Sequence, residues 1–327
     1  MRALVTGGGG FLGLYLVELL LARGAEVRVL CRGQYPALDV LGVETVQADL
    51  RDRDATIAGC ASMDVVFHTA SIAGIWGRWQ DFYDINVRGA EHVVAGCRRH
   101  QVRRLVYTSS PSVTFAGADQ RDVDETAPYP RRFICHYPHT KALAERHVLA
   151  ASDDELLTCA LRPHLIWGPR DNHLVPRLVE RARAGQLRRV GNGRNLIDVT
   201  YVENAALAHW QAYEALEAGS PVAGQAYFLS QGEPVNCWDW IDEILVLHGL
   251  LPVTKAVPAG AAYAAGAALE AAYRVAGRWD EPRMTRFLAA QLSTSHYFDI
   301  SRAQRDFGYR PQVTTAEGMR RLAHSLA

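Results

Sequence analysis

Tyr137 and Lys141 stand four residues apart in Tyr137-Pro138-His139-Thr140-Lys141, at the head of a strongly helical run, Ala142–Ala151. Residues four apart on a helix share a face, so the ammonium can lie beside the phenol and favour its ionised form. Such a tyrosine can exchange a proton with an alcohol or carbonyl oxygen while a hydride moves at the carbon. Upstream, Val106-Tyr107-Thr108-Ser109-Ser110-Pro111-Ser112-Val113 ends a strand on a row of hydroxyls. One of them could donate to an oxygen that gains negative charge. The spacing to Val113 points to Ser110, with Ser109 as the alternative; a serine-rich turn without chemistry is the plainer possibility. No Gly-x-Ser-x-Gly surrounds these residues, which argues against a serine hydrolase.

A hydride needs a carrier, and Thr6-Gly7-Gly8-Gly9-Gly10-Phe11-Leu12-Gly13 offers a place for one. Gly8, Gly10 and Gly13 fit GxGxxG; Gly7, Gly10 and Gly13 fit GxxGxxG. Between a first strand and a first helix, such a turn lets the backbone approach a pyrophosphate at the helix N-terminus, with Phe11 and Leu12 in the opening turn. No Gly-Lys-Ser/Thr follows, so a P-loop is excluded. The second strand ends in Cys31-Arg32-Gly33, where an acidic residue would hold a ribose 2′-OH. Arg32 can instead pair with a 2′-phosphate, so NADP is expected over NAD. Asp49 and Leu50, closing the third strand, are placed to meet the adenine edge.

These residues require strands that end where the chemistry is. Strand candidates are Ala3–Thr6, Glu26–Cys31, Glu44–Ala48, Asp64–Thr69, Arg104–Ser109 and Thr158–Arg162, with helical stretches such as Phe11–Ala22 and Phe82–His100 between them. The alternation predicts an α/β fold, a Rossmann-type doubly wound parallel sheet. Residues 1–167 form the nucleotide-binding part, with return segments near 197–204 and 225–231. Residues 168–327 form a smaller, mostly helical substrate lobe. Within that lobe, the alanine-rich 256–275 stretch is expected to pack as a helix; a greasy lid or a membrane-touching surface is the alternative. Trp76, Trp79, Trp167 and the aromatics near Trp238 and Trp240 could line an apolar tunnel, but more often such residues fill cores. The arginines from Arg177 to Arg194 read as a solvated face, with binding of a carboxylate as the alternative; His164 and His173 could likewise touch a substrate acid.

Composition narrows the classes further. In 327 residues, 35 basic side chains balance 35 acidic ones, which argues against a nucleic-acid partner. The six cysteines form no CxxC pair and no metal-like cluster, so no metal is expected and a reducing, cytoplasmic location is. No secretory leader or membrane-spanning run is legible. Of the 35 basic residues 33 are arginine, and Lys141 is one of only two lysines. At a site that needs a compact ammonium, arginine's planar fork would substitute poorly.

The chain resembles the extended short-chain dehydrogenases/reductases of the 3β-hydroxysteroid dehydrogenase/isomerase family. The stretches that carry the likeness are Val5–Gly13, His68-Thr69-Ala70-Ser71, Asn86-Val87-Arg88-Gly89, Tyr107–Val113, Tyr137–Leu149, Ala160–Pro163, Tyr201–Ala205 and Arg305–Pro311. Arg32–Pro36, Thr108–Thr114, Leu165–Leu174 and Arg181–Gly193 are similar to the branch of 2-alkyl-3-oxoalkanoate reductases of bacterial long-chain olefin biosynthesis. The resemblance implies an NADP-dependent interconversion of a long-chain β-keto acid and its 2-alkyl-3-hydroxy acid. It implies Ser110, Tyr137 and Lys141 as the catalytic set, with Asn86 supporting a proton relay. His68, Thr69 and Ala70 would line the nicotinamide ribose, and Pro163 the nicotinamide. Ser71, Ser112, His164 and Trp167 are candidate substrate contacts. Further implications are a homodimer through Phe82–His100 and Tyr137–Ala151, assembly with other olefin-pathway enzymes, and peripheral membrane contact. Cys31 departs from the acid of NAD-dependent steroid members. A 3β-hydroxysteroid or sterol-4-carboxylate dehydrogenase is the alternative, and a dinucleotide-sensing protein without turnover a third possibility.

Overall fold

A computed structural model describes residues 1–326. Seven parallel strands carry the fold: β1 (Arg2–Thr6), β2 (Glu26–Cys31), β3 (Glu44–Gln47), β4 (Val65–His68), β5 (Arg104–Thr108), β6 (Leu157–Pro163) and β7 (Gln225–Leu229). Their order is β7-β6-β5-β4-β1-β2-β3. The chain therefore winds outward both ways from β1, whose Thr6 stands opposite Leu30 on one side and His68 on the other. At such a switch point the loops leaving β1 and β4 diverge and open a crevice at the carboxyl edge of the sheet.

The central strands β4 and β6 are buried along their whole length, as a sheet covered on both faces requires. Alternate residues feed separate cores. Val5, Val29 and Phe67 pack with the helices Phe11–Ala22 and Val202–Ala215; Leu4, Val66 and Leu105 pack with Gly89–Arg99 and His136–Ala150. A third core, around Trp167, Val190, Tyr201, Trp238 and Ile244, belongs to the second lobe.

Several expectations need correction. Gln225–Leu229 does join the sheet, beside β6, but residues near 197–204 do not. Leu196–Ile197 pairs with Val235–Asn236 and His296–Phe298, and Thr200–Tyr201 pairs with Ile166–Trp167. What returns to the sheet there is a helix, Val202–Ala215, laid on one face. Gln120–Val123, from the first half of the chain, pairs with His296–Phe298, so a cut at residue 167 does not separate the lobes cleanly. The stretch Phe82–His100 is not one regular helix: Tyr83–Arg88 is a π-helical segment between Trp79–Phe82 and Gly89–Arg99.

Ala259–Val275 is a helix that buries only Ala262, Gly266 and Glu270, one residue per turn. Its outer residues are exposed, Val275 almost fully. Among the described residues, no helix is long and apolar enough to cross a membrane.

Candidate active site

The chain turns out of β1 at Gly7, whose φ of +73° lies where side chains are strained. A Cβ on Gly7 would come within 2.8 Å of the Ala70 Cα, and one on Gly13 within 2.2 Å of the Gly7 carbonyl oxygen. Gly10 precedes the helix Phe11–Ala22, and its carbonyl accepts from Leu14 N. The N–H groups of Phe11, Leu12 and Gly13 are left without intrahelical partners. No acidic side chain stands in that first turn. Bare N–H groups, a glycine surface and no competing carboxylate suit a pyrophosphate, so these residues fit a dinucleotide.

A cavity of about 610 Å³ runs from this turn along the sheet edge into the second lobe. Gly7, Gly10, Phe11, Leu12, Gly13, Arg32, Asp49, Leu50, Thr69, Ala70 and Pro163 line it, as do Ser71, Ser110, Ser112, Tyr137, Lys141 and His164. At the outer end Arg32 is exposed and its side chain has no partner among the described residues. Nearby Asp49 is engaged by Arg51, at 2.8 and 3.0 Å. Tyr35 also lies on the cavity, its ring over Gly9 so closely that a Cβ there would sit 2.3 Å from it.

Ser110, Tyr137 and Lys141 meet deeper in. Ser110 caps a short turn, with its Oγ 2.9 Å from Ser112 Oγ. Desolvation raises the Tyr137 phenol above its ordinary value, and a hydrogen bond with Ser110 draws it partly back. Lys141 Nζ donates to the Thr108 carbonyl at 2.5 Å and lies 4.2 Å from the Tyr107 ring centroid. Burial brings its ammonium down to about 7, against a partial lift from Glu145 one turn on. Glu145 is itself held by Arg162 at 2.6 and 2.9 Å and by the Tyr129 hydroxyl at 2.6 Å. This buried pair anchors the helix His136–Ala150 to β6.

Three proposed residues lie elsewhere. Asn86 does not reach the cavity: its amide bonds the Ile72 backbone in both directions and donates to Thr140 Oγ1 at 3.1 Å. The π-helical segment aims it there, and its effect is to tether the start of the Tyr137 helix to the loop after β4. His68 lies behind the cavity wall. Its Nδ1 is 2.7 Å from Thr6 Oγ1, and burial lowers its imidazole to about 3, so it is neutral. Trp167 is fully buried in the second lobe's core against Tyr201 and Trp240. Its neighbour Ile166 faces the cavity, as alternation along a strand requires.

No tryptophan lines the cavity; its inner walls are Phe115, Phe287 and Phe298, with Gln120, Gln291 and His296. Sequence patterns missed these residues because they lie outside every motif and converge only through the Gln120–Val123 and His296–Phe298 pairing. Arg177 lines the cavity but is paired with Glu281, as is Arg181; Arg189 is paired with Asp242. Among the described residues, no group of three or more His, Cys, Asp and Glu could hold a metal ion.

Comparison with known proteins places this geometry among relatives. The model of the 3-beta hydroxysteroid dehydrogenase/isomerase family matches residues 4–253. The 2-alkyl-3-oxoalkanoate reductase of Stenotrophomonas maltophilia is 48% identical over 330 residues, covering all of both chains. The decarboxylating sterol-4-alpha-carboxylate 3-dehydrogenase of Homo sapiens is 37% identical over 329 residues, 99% of this chain and 88% of that one. In fold, the Thermus thermophilus UDP-glucose 4-epimerase, solved with NAD, superposes with a TM-score of 0.76 at 24% identity, covering 99% of this chain and 98% of that one.

Proposed function

The chain belongs to the 3-beta hydroxysteroid dehydrogenase/isomerase family, and within it we propose an oxidoreductase that interconverts a long-chain 2-alkyl-3-oxoalkanoic acid and the 2-alkyl-3-hydroxy acid, in hydrocarbon biosynthesis. The observation that carries this is the convergence of Ser110, Tyr137 and Lys141 on one cavity with the glycine turn. The name of the 48% identical relative supports the substrate class.

A nicotinamide dinucleotide, when bound, supplies or accepts the hydride. The Tyr137 hydroxyl gives its proton to the substrate's 3-oxo oxygen during reduction and receives it back during oxidation. Ser110 donates to the same oxygen and stabilises the charge that develops there. Lys141, when protonated, favours the phenolate that Tyr137 becomes. Unpartnered Arg32 favours the phosphorylated cofactor, NADP, over NAD.

The test is to mix the purified protein with NADPH and synthetic 2-alkyl-3-oxo acids of several chain lengths and to follow loss of NADPH absorbance. Turnover is expected, faster with NADPH than with NADH; silence at every chain length counts against the assignment. A second reading is favoured by the sterol relative. A sterol 4-carboxylate with a 3-hydroxyl is itself a cyclic 2-alkyl-3-hydroxy acid, and turnover of it in preference to the acyclic acid would select that reading. Tyr137→Phe should lose about 10²–10⁴-fold in kcat while binding NADPH as the parent does; an unchanged rate would remove Tyr137 from the chemistry.

A further inference from the structure

Two histidines 132 residues apart in sequence, His164 and His296, meet at the inner end of the cavity with His164 Nε2 2.6 Å from His296 Nδ1. Both are almost fully buried. The far nitrogen of His296, Nε2, is 2.9 Å from the Gln291 carbonyl oxygen. A carbonyl only accepts, so His296 carries its proton on Nε2 and presents a bare Nδ1. His164 must then donate from Nε2, which leaves its own Nδ1 as a lone pair. No group among the described residues pairs with that Nδ1, while His164 lines the cavity.

Aromatic rings flank the pair. Phe298 meets the His164 ring edge-on at 5.4 Å, and Phe115 meets His296 at 6.4 Å. The backbone supports the arrangement at some cost: Leu165 adopts φ +41°, a left-handed conformation that strains a leucine. Through this turn His164, Leu165 and Ile166 all line the cavity. The lysine and arginines on the cavity wall are otherwise engaged or distant; His173 also lines it, beside Asp171, whose carboxylate accepts from the backbone N–H groups of His173, Leu174 and Val175. Lys141 is bonded to Thr108, Arg177 is paired with Glu281, and Arg32 stands at the opposite end, beyond the glycine turn.

We propose that His164, backed by His296, is the anchor for the substrate's carboxylate. On binding the acid, His164 takes one proton from solvent at Nδ1 and donates it in a hydrogen bond to the carboxylate, while Nε2–H stays on His296. This rests on the substrate being a 2-alkyl-3-oxo or 3-hydroxy acid. In the free protein burial pulls both imidazoles below the usual histidine value, so the positive charge arrives with its counter-ion. The charged groups around the pair are few. Asp119 reaches His296 through its negative charge. Asp198 accepts from Phe298 N at 2.8 Å, and burial pushes it up to about 6. Lys141, Arg177 and Tyr137 share the cavity wall with the pair.

The anchor is tested by titrating the NADP-loaded protein with a saturated straight-chain fatty acid, such as dodecanoate, in two buffers of different ionisation heat near neutral pH. Uptake close to one proton per acid bound is expected. His164→Gln keeps a polar atom toward His296 but loses the Nδ1 position. It should bind the acid about 30–100-fold more weakly, the scale of a lost partner for a buried charge, and take up no proton. His164→Asn places an amide near the Nδ1 position and should recover part of the affinity, still without proton uptake. In turnover, His164→Gln should lower kcat/KM about 100-fold for the 2-alkyl-3-hydroxy acid and at least tenfold less for its methyl ester. Equal losses on acid and ester, or acid binding by the parent without proton uptake, overturns the anchor. Proton-linked acid binding by a parent that never oxidises the hydroxy acid upholds the anchor and overturns the proposed reaction.

Discussion

Lys141 is held in a place that the fold alone would not choose. Its ammonium is buried, with a carbonyl oxygen and an aromatic face for company, and desolvation lowers it from 10.5 to about 7. Between those pH values the unfolded chain binds a proton that the folded chain does not, so stability rises as pH climbs from 7 toward 10.5. The penalty is fully present below pH 7. Lys141→Met should therefore melt higher than the parent at pH 7, by about 2–4 °C for each 1 kcal/mol relieved, and the gap should close by pH 10.5. Calorimetric melts across that range check it; a gap independent of pH would mean the lysine's charge is not what strains the fold. The same variant should lose turnover, because an uncharged thioether side chain cannot stabilise a phenolate. Chemistry of this kind was legible in the sequence because it is local: the tyrosine and lysine are one helical turn apart, and the glycines share one turn. Where Asn86, His68 and Trp167 point was not legible, because a motif names a residue without saying which wall it faces. That depends on strand alternation and on a π-helical segment with no signature of its own.

At the scale of elements, the long strands and helices of the first lobe follow from hydrophobic periodicity. The pieces that complete the cavity are too short to carry a period, among them Leu196–Ile197, Val235–Asn236 and His296–Phe298. Their pairing is set by tertiary contacts. The helix Arg286–Ser293 is one such piece, for it carries Phe287 and Gln291 to the cavity. Its own position depends on Gly266 of the alanine-rich helix, where an added Cβ would fall 2.6 Å from the Thr285 carbonyl carbon and 2.7 Å from Arg286 N. Glu270, one turn on, accepts from Arg286 N at 2.7 Å and from its guanidinium at 2.7 and 2.9 Å. This explains how a helix so exposed stays docked. Gly266→Val should push the two helices apart and cost about 1–3 kcal/mol, as overpacking does. Because Gln291 holds His296, the variant should also raise KM for the acid more than for NADPH. Equal effects on both, or none on KM, would separate this helix from the substrate end.

At the scale of the whole molecule, the two lobes have separate cores but share one cavity. The glycine turn and Arg32 stand at one end of it, and His164, His296 and the phenylalanines at the other. The doubly wound sheet was legible in the sequence, whereas the shape of the cavity was not, since the Gln120–Val123 strand crosses to the second lobe. That crossing has an energetic consequence. Ser110 and Tyr137 lie between the two ends, so a bound dinucleotide would form one wall of the space an acid enters and exclude water from it. A charge-assisted bond from His164 is then worth more, because the medium screens it less. Acid binding should accordingly be several-fold tighter with NADP present than without, and NADP binding tighter by the same factor with the acid present, as linkage demands. Titration calorimetry of each ligand, alone and with the other saturating, measures both factors. Unequal factors would mean that one of the titrations had not reached equilibrium, and a factor of one would mean that the ends of the cavity act independently despite their common walls.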